Sequence, residues 1–243
     1  GKVYCGLHKP KTISDESKYL TVFRHLHRCL ILARELFTPK TCFWRSMNKI
    51  IQGVGINDFY ENVTTKRVNN KEYSLWTSML LRCYSKNQME TYEGCTVSDK
   101  FKSYTFFYKW CNNQTGFNIK DEQSRCWHLD KDLLVKGNKL YSEDTCVFIP
   151  QQINALLTKR QNLRGEHPIG TSLNRKSGKF QANCKNGGGK LIYLGLHATP
   201  KEAFLVYKTF KESLIKEVAN RYKEQLDQRA YKALMEYQVE ITD

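Results

Sequence analysis

Five side chains have the types and spacing that phosphate chemistry uses. In Cys126-Trp127-His128-Leu129-Asp130-Lys131-Asp132-Leu133-Leu134, His128, Asp130 and Asp132 stand at alternate positions. A strand through them sets all three on one face, because successive strand residues point to opposite sides. Asn154 follows on a short apolar run, Ile153 to Leu157, that suits a helix folding back over the strand. Carboxylate and amide oxygens gathered in this way are what a hard divalent cation takes as ligands while keeping waters for chemistry. The Asp130-Lys131-Asp132 run also fits a solvated strand edge of mixed charge, so both readings stand on spacing alone. As a proton acceptor His128 has an ordinary pKa near 6.5. Lys131 serves as a base only with a pKa well below the usual ~10.4.

A second set lies in the C-terminal third. Lys179, Gln181, Asn183 and Lys185 alternate with Phe180, Ala182 and Cys184, which gives a strand with one polar and one apolar face. From Lys159 to Lys223 there are 14 Lys or Arg against 4 acidic residues. Lys and Arg contact phosphates, while Asn, Gln and Arg read base edges. A clustered basic surface of this kind points to a nucleic acid, and a merely solvated basic face is the alternative.

Several elements must position these groups. Residues 17–37 carry Tyr19, Val22, Phe23, Leu26, Leu30, Ala33 and Phe37 at helical steps, and residues 71–85 place Tyr73, Trp76, Met79, Leu80 and Cys83 on one face. Ser98 or Asp99 can cap a helix bearing Phe101, Tyr104, Phe107, Tyr108 and Trp110, a stripe expected in the core. Cys126 to Leu134 predicts a strand, Gly137-Asn138 a turn, Leu140 to Ile149 a return strand, and 151–158 a helix. Strands follow at Thr171–Asn174, Lys179–Lys185 and Leu191–Leu196. Thr199 caps a helix from Pro200, and another is expected over Asp227–Glu236. The fold class expected is α+β: a helical N-terminal part over 1–56, a central ββα region over 57–158, a three-stranded antiparallel sheet backed by a helix over 159–225, and a C-terminal helix or tail over 226–243.

Composition narrows the classes. The 243 residues carry 39 Lys plus Arg against 24 Asp plus Glu, a net charge of +15, with 40% hydrophobic residues. That excludes a mainly disordered chain. No apolar run approaches membrane-spanning length, so no membrane partner is expected. Gly1 leads in place of Met, as after trimming, and no signal-peptide pattern follows. The nine cysteines form no C-x-x-C pair, which argues against a disulfide framework and for a reducing, cytoplasmic setting. Cys5-x-x-His8 and Cys126-x-His128 are each half of a zinc pattern, without the partner halves.

Two resemblances add to this. The segment Leu75-Trp76-Thr77-Ser78-Met79-Leu80-Leu81-Arg82-Cys83-Tyr84, then Tyr92-Glu93-Gly94-Cys95-Thr96-Val97, then Leu129-Asp130-Lys131-Asp132-Leu133 through Cys146-Val147-Phe148-Ile149-Pro150 to Ile153-Asn154 resembles phage-type HNH endonucleases. Gly53-Val54-Gly55-Ile56-Asn57-Asp58 fits the same proteins. The resemblance implies a ββα-metal hairpin with a divalent ion, magnesium or manganese, and no organic cofactor. It makes Asp130 the carboxylate ligand, with Asp132 beside it, and Asn154 the distal ligand. Lys131 stands where the family's base His is expected and Cys146 where its middle Asn is expected, so the base is His128 from the opposite strand face, Lys131 with a lowered pKa, or a solvent hydroxide.

Gly170, Gly178-Lys179-Phe180-Gln181-Ala182, Tyr193-Leu194-Gly195 and Thr199-Pro200-Lys201-Glu202-Ala203 with Tyr207 resemble an APETALA2/ethylene-response-factor-type DNA-binding domain. That family enters the major groove with its sheet. The resemblance places Ser172, Asn174, Lys179, Gln181, Asn183, Lys185 and Tyr193 toward duplex DNA, and Arg175, Lys176 and Lys190 are further expected phosphate contacts. The implied function is a metal-dependent homing-type DNA endonuclease in the cytoplasm of an infected bacterial cell. The alternatives are a DNA-binding regulator derived from such a nuclease, or a protein that binds RNA or a host enzyme.

Overall fold

In this computed structural model, residues 1, 50–59, 70–159 and 166–243 are described. The helix expected over 17–37, with His25, His27 and the Cys5–His8 pair, lies outside them.

β1 (Ile50–Ile51) and β2 (Gly55–Ile56) form a small antiparallel hairpin. Gly55 admits no side chain, since a Cβ there would collide with Leu80 and lie 2.9 Å from Trp76. α1 (Lys71–Tyr84) begins where the Asn70 side chain accepts the Tyr73 N–H, satisfying one free donor of the helix start. Trp76, Met79, Leu80 and Cys83 are buried, as their spacing requires.

The single helix expected after Ser98 is two. α2 (Asp99–Lys102) is capped by Ser98, and α3 (Tyr104–Asn112) is capped anew by Ser103. Asp58 explains the restart. Its carboxylate accepts from the Ser103 hydroxyl at 2.6 Å and the Thr105 N–H at 2.8 Å, giving the backbone a partner outside the helix. Phe101, Tyr104, Phe107 and Trp110 are core residues.

The strand expected over Cys126–Leu134 also stops early, as β4 (His128–Asp130). The expected return strand splits in two. β5 (Leu140–Tyr141) pairs in parallel with β3 (Thr96–Val97), and β6 (Val147–Ile149) pairs antiparallel with β4. β4 ends at Asp130, whose Oδ1 accepts the N–H groups of Asp132 at 3.0 Å and Leu133 at 2.7 Å, and the return strand breaks at the turn where the Cys146 N–H donates to the Ser142 carbonyl. An Asp side chain that bonds the backbone just beyond it makes a turn in place of a strand. After β6, Pro150 leads into α4 (Gln151–Leu157), which buries Ile153 and Leu156.

β7 (Thr171–Asn174), β8 (Lys179–Lys185) and β9 (Leu191–His197) form an antiparallel sheet in that order. α5 (Pro200–Arg221) begins with a capping box in which Thr199 and Glu202 bond each other's backbone, with Pro200 in the first turn. Its first turns cover one face of the sheet, where Phe204 and Tyr207 pack with Cys184. α6 (Gln228–Met235), capped by Asp227, packs on α5.

The later turns of α5 serve a different core. Ile215, Val218 and Ala219, with Leu226, Ala230 and Leu234, join one hydrophobic cluster with Trp76, Phe107, Phe148 and Ile153. Lys49–Asp243 is accordingly one compact unit, and the boundaries expected near 158 and 225 fall inside it. Among the described residues no helix is long and apolar enough to cross a membrane.

Candidate functional site

β4 and α4 meet at one pair of expected residues. The Asn154 amide nitrogen lies 3.0 Å from Nδ1 of His128. An Asn side chain can meet that nitrogen with its amide N–H or its carbonyl oxygen. As placed, the amide N–H donates to Nδ1 and a neutral ring carries its proton on Nε2; the reversed amide, with its oxygen toward Nδ1, puts the proton on Nδ1 and leaves Nε2 as a base. His128 is half-buried, and its pKa is lowered by burial first, then by the positive charges of Arg82 and Arg125. The ring is therefore neutral at pH 7, the state a general base needs.

Neither arginine is picked out by sequence spacing. Arg82 comes from the last turn of α1 and lies 5.7 Å from the centre of the Tyr92 ring. Arg125 is held by Asp121, with Nε 2.7 Å from the carboxylate. Only the tertiary fold brings both near a histidine on β4. A neutral imidazole in the electrostatic field of two guanidinium groups suits a phosphodiester, with charge for the phosphate and a base for water.

The other expected catalytic groups turn elsewhere. Asp130 is buried, its Oδ1 is engaged by the turn that follows it, and burial raises its pKa to about 6, with Asp132 adding to the rise. Asp132 does not continue the strand face beside Asp130, because the turn carries it to the surface. Lys131 is buried with its ammonium 3.3 Å from the Asp132 carboxylate and 5.6 Å from the centre of the Tyr141 ring. Cys146 is fully buried, and burial raises its thiol pKa to about 12, so it acts as a small apolar core residue. Asp130, Asp132 and Asn154 thus have three different sets of hydrogen-bond and ion-pair partners. Among the described residues no three His, Cys, Asp or Glu side chains are grouped to hold a metal.

The sheet supplies the second surface. β8 lies between its neighbours with Gln181 opposite Ser172 on β7 and Leu196 on β9, Asn183 opposite Tyr193, and Lys185 opposite Leu191. Ala182 and Cys184 are buried beneath α5. Lys179, Gln181, Asn183 and Lys185 therefore share the open face, as their alternation implies. The pairing shifts between Ala182, opposite Gly195, and Asn183, opposite Tyr193. That leaves Leu194 as the extra residue of a bulge and keeps Tyr193 outward, 59% exposed. Ser172, Lys179, Lys185, Arg175, Lys176 and Lys190 are exposed, the last three in the turns at the sheet's ends. The Oδ1 of Asn174 accepts the N–H groups of Lys176 and Ser177 and closes the β7–β8 turn. Leu191 and Leu196 lie on the same open face, 57% and 39% exposed, where sequence patterning does not put apolar residues.

The two surfaces are joined through α4. Gln152 donates to the Asn186 carbonyl in the β8–β9 turn, and Gly187 of that turn lies against Gln152 and Leu156. Compared with known proteins, the chain matches no family model, no curated protein and no solved structure.

Proposed function

We propose that this chain grips duplex DNA with the open face of the β7–β8–β9 sheet and hydrolyses a phosphodiester bond beside His128, as an endonuclease of the HNH homing type. The observation that carries the cleavage reading is the neutral, half-buried His128 beside Asn154 and within the fields of Arg82 and Arg125. In this reading the Asn154 amide turns its oxygen to the Nδ1–H and orients the imidazole, Nε2 takes the proton of the attacking water, and the two arginines stabilise charge on the phosphate. The sheet's Lys and Arg groups supply the electrostatic grip.

The magnesium or manganese requirement implied by the resemblance is kept as a dependence on added ion. Cleavage should appear with Mg²⁺ or Mn²⁺ and stop in EDTA. A second reading, a DNA-binding regulator that does not cut, is favoured by the engagement of Asp130 and Lys131 within their own turn. Incubation of supercoiled plasmid with the purified chain, followed by gel shift of the same DNA, separates the two. A nicked product supports the nuclease, a shifted but intact plasmid supports the regulator, and no shift at low salt defeats both.

A further inference from the structure

The open sheet face has a composition that discriminates among base pairs. Its central rows are Ser172, Gln181 and Leu196 across three strands, then Asn183 with Tyr193, then Lys185 with Leu191. No strand position of the sheet carries Arg. In the major groove Arg is the commonest reader of guanine, Asn and Gln bond adenine N6 and N7, and apolar groups pack on the thymine methyl. Lys also reaches guanine, but Lys179 and Lys185 stand at the two ends of β8. Six residues of strand put them about 20 Å apart, wider than the ~12 Å groove, which places them toward phosphates on its two walls.

Between those lysines lie two carboxamides with exposed Tyr193 and Leu196 opposite them, and exposed Leu191 stands opposite Lys185. Gln181 stands directly opposite Leu196, and Asn183 directly opposite Tyr193. Each is a carboxamide and an apolar group side by side, which matches an adenine edge and the methyl of a neighbouring or paired thymine.

Resting on the DNA reading above, we propose that this sheet selects A·T pairs at the centre of its site, with Gln181 and Asn183 on adenines and Leu196 and Tyr193 on thymine methyls. The apolar face is then covered by the major groove of duplex DNA, whose charge complements the basic residues at both ends of the sheet.

The test is selection of the full chain on a random-sequence duplex pool, followed by affinity measurement on A·T-core and G·C-core duplexes of equal length. The expected result is an A·T-rich core preferred on the order of 10- to 100-fold. Gln181→Ala should erase the preference at its own position, a loss of about 5- to 150-fold on the preferred duplex. Gln181→Arg should shift that position toward guanine, and an unchanged melting temperature shows that either variant is folded. Uracil in place of thymine should weaken binding, since it removes only the methyl. A G·C-rich core, or equal binding to every duplex, overturns the inference while leaving DNA binding intact. No binding to any duplex at low salt overturns the DNA reading and this inference with it.

Discussion

Asp130 holds its turn at a cost that depends on pH. Burial raises its pKa to about 6, Asp132 adds to the rise, and the two backbone N–H bonds oppose it. A raised acid pKa means the folded chain binds the proton more tightly than the unfolded one. Stability from this group is therefore fully present below ~3.9 and is lost as pH rises through about 6, to the extent of about 3 kcal/mol. Asp130→Asn keeps an oxygen for the Asp132 and Leu133 N–H groups and removes the charge. It should stabilise the metal-free protein at pH 8 by about 1–3 kcal/mol and have little effect at pH 4, as measured by urea unfolding in EDTA. Asp130→Ala leaves both N–H groups without that acceptor and should cost about 1–3 kcal/mol at pH 4, a loss that removal of the buried charge offsets at pH 8. An Asn variant less stable than wild type at pH 8 contradicts this account of Asp130. His128 works in the opposite direction. Its lowered pKa gives stability that is present above ~6.5 and declines as pH falls through the folded value, so cleavage should persist to pH values below ~6.5.

At the scale of elements, the sheet and its covering helix were legible from sequence because local rules act together there. Period-two alternation, glycine turns and a Thr-Pro-x-Glu start all point to the same strands and the same helix, and the strands lie at the expected residues to within one position. The 126–149 segment was less legible because a side chain decides it. Nothing in the spacing of Asp130 and Asp132 says that Asp130 will bond the backbone beyond it and end the strand. Arg82 and Arg125 were invisible as site residues because only tertiary packing brings them to His128. Gly170, one of the marks of the DNA-binding resemblance, has a structural reason of its own. It has φ +77°, and a Cβ there would collide with the Tyr207 ring. Gly170→Ala should therefore destabilise the protein by about 2–4 kcal/mol, from the left-handed backbone and the forced shift of Tyr207, and lower its melting temperature. A change below 0.5 kcal/mol, on the order of a neutral surface substitution, means that β7 does not depend on this contact.

Over the whole molecule, the helix α5 that covers the three-stranded sheet also completes the core of the central region, so the two should not be separable by truncation. Removing residues 159–243 takes away Ile215, Val218, Leu226 and Leu234 from the cluster around Trp76 and Phe148. At about 1.5–3 kcal/mol each, that is roughly 6–12 kcal/mol, comparable with the whole stability of a typical domain. The sequence alone leads one to expect a folded remainder after this cut; with the shared core, the truncated chain should be insoluble or unfolded by circular dichroism. Intact protein carrying Arg175, Lys176, Lys179, Lys185 and Lys190 at the sheet should bind duplex DNA with log affinity falling linearly in log salt. Five phosphate contacts give a slope of about −4 to −5, and a flat dependence excludes an electrostatic grip. The most direct test of the central claim is the rate of supercoiled-plasmid nicking by wild type and His128→Ala, each with Mg²⁺, with Mn²⁺ and in EDTA, on DNA that both proteins shift equally. Wild type should nick with added ion, and His128→Ala should nick about 10²- to 10⁴-fold more slowly. Wild type that binds the plasmid and leaves it supercoiled with either ion, or a His128→Ala variant that nicks as fast as wild type, contradicts the account.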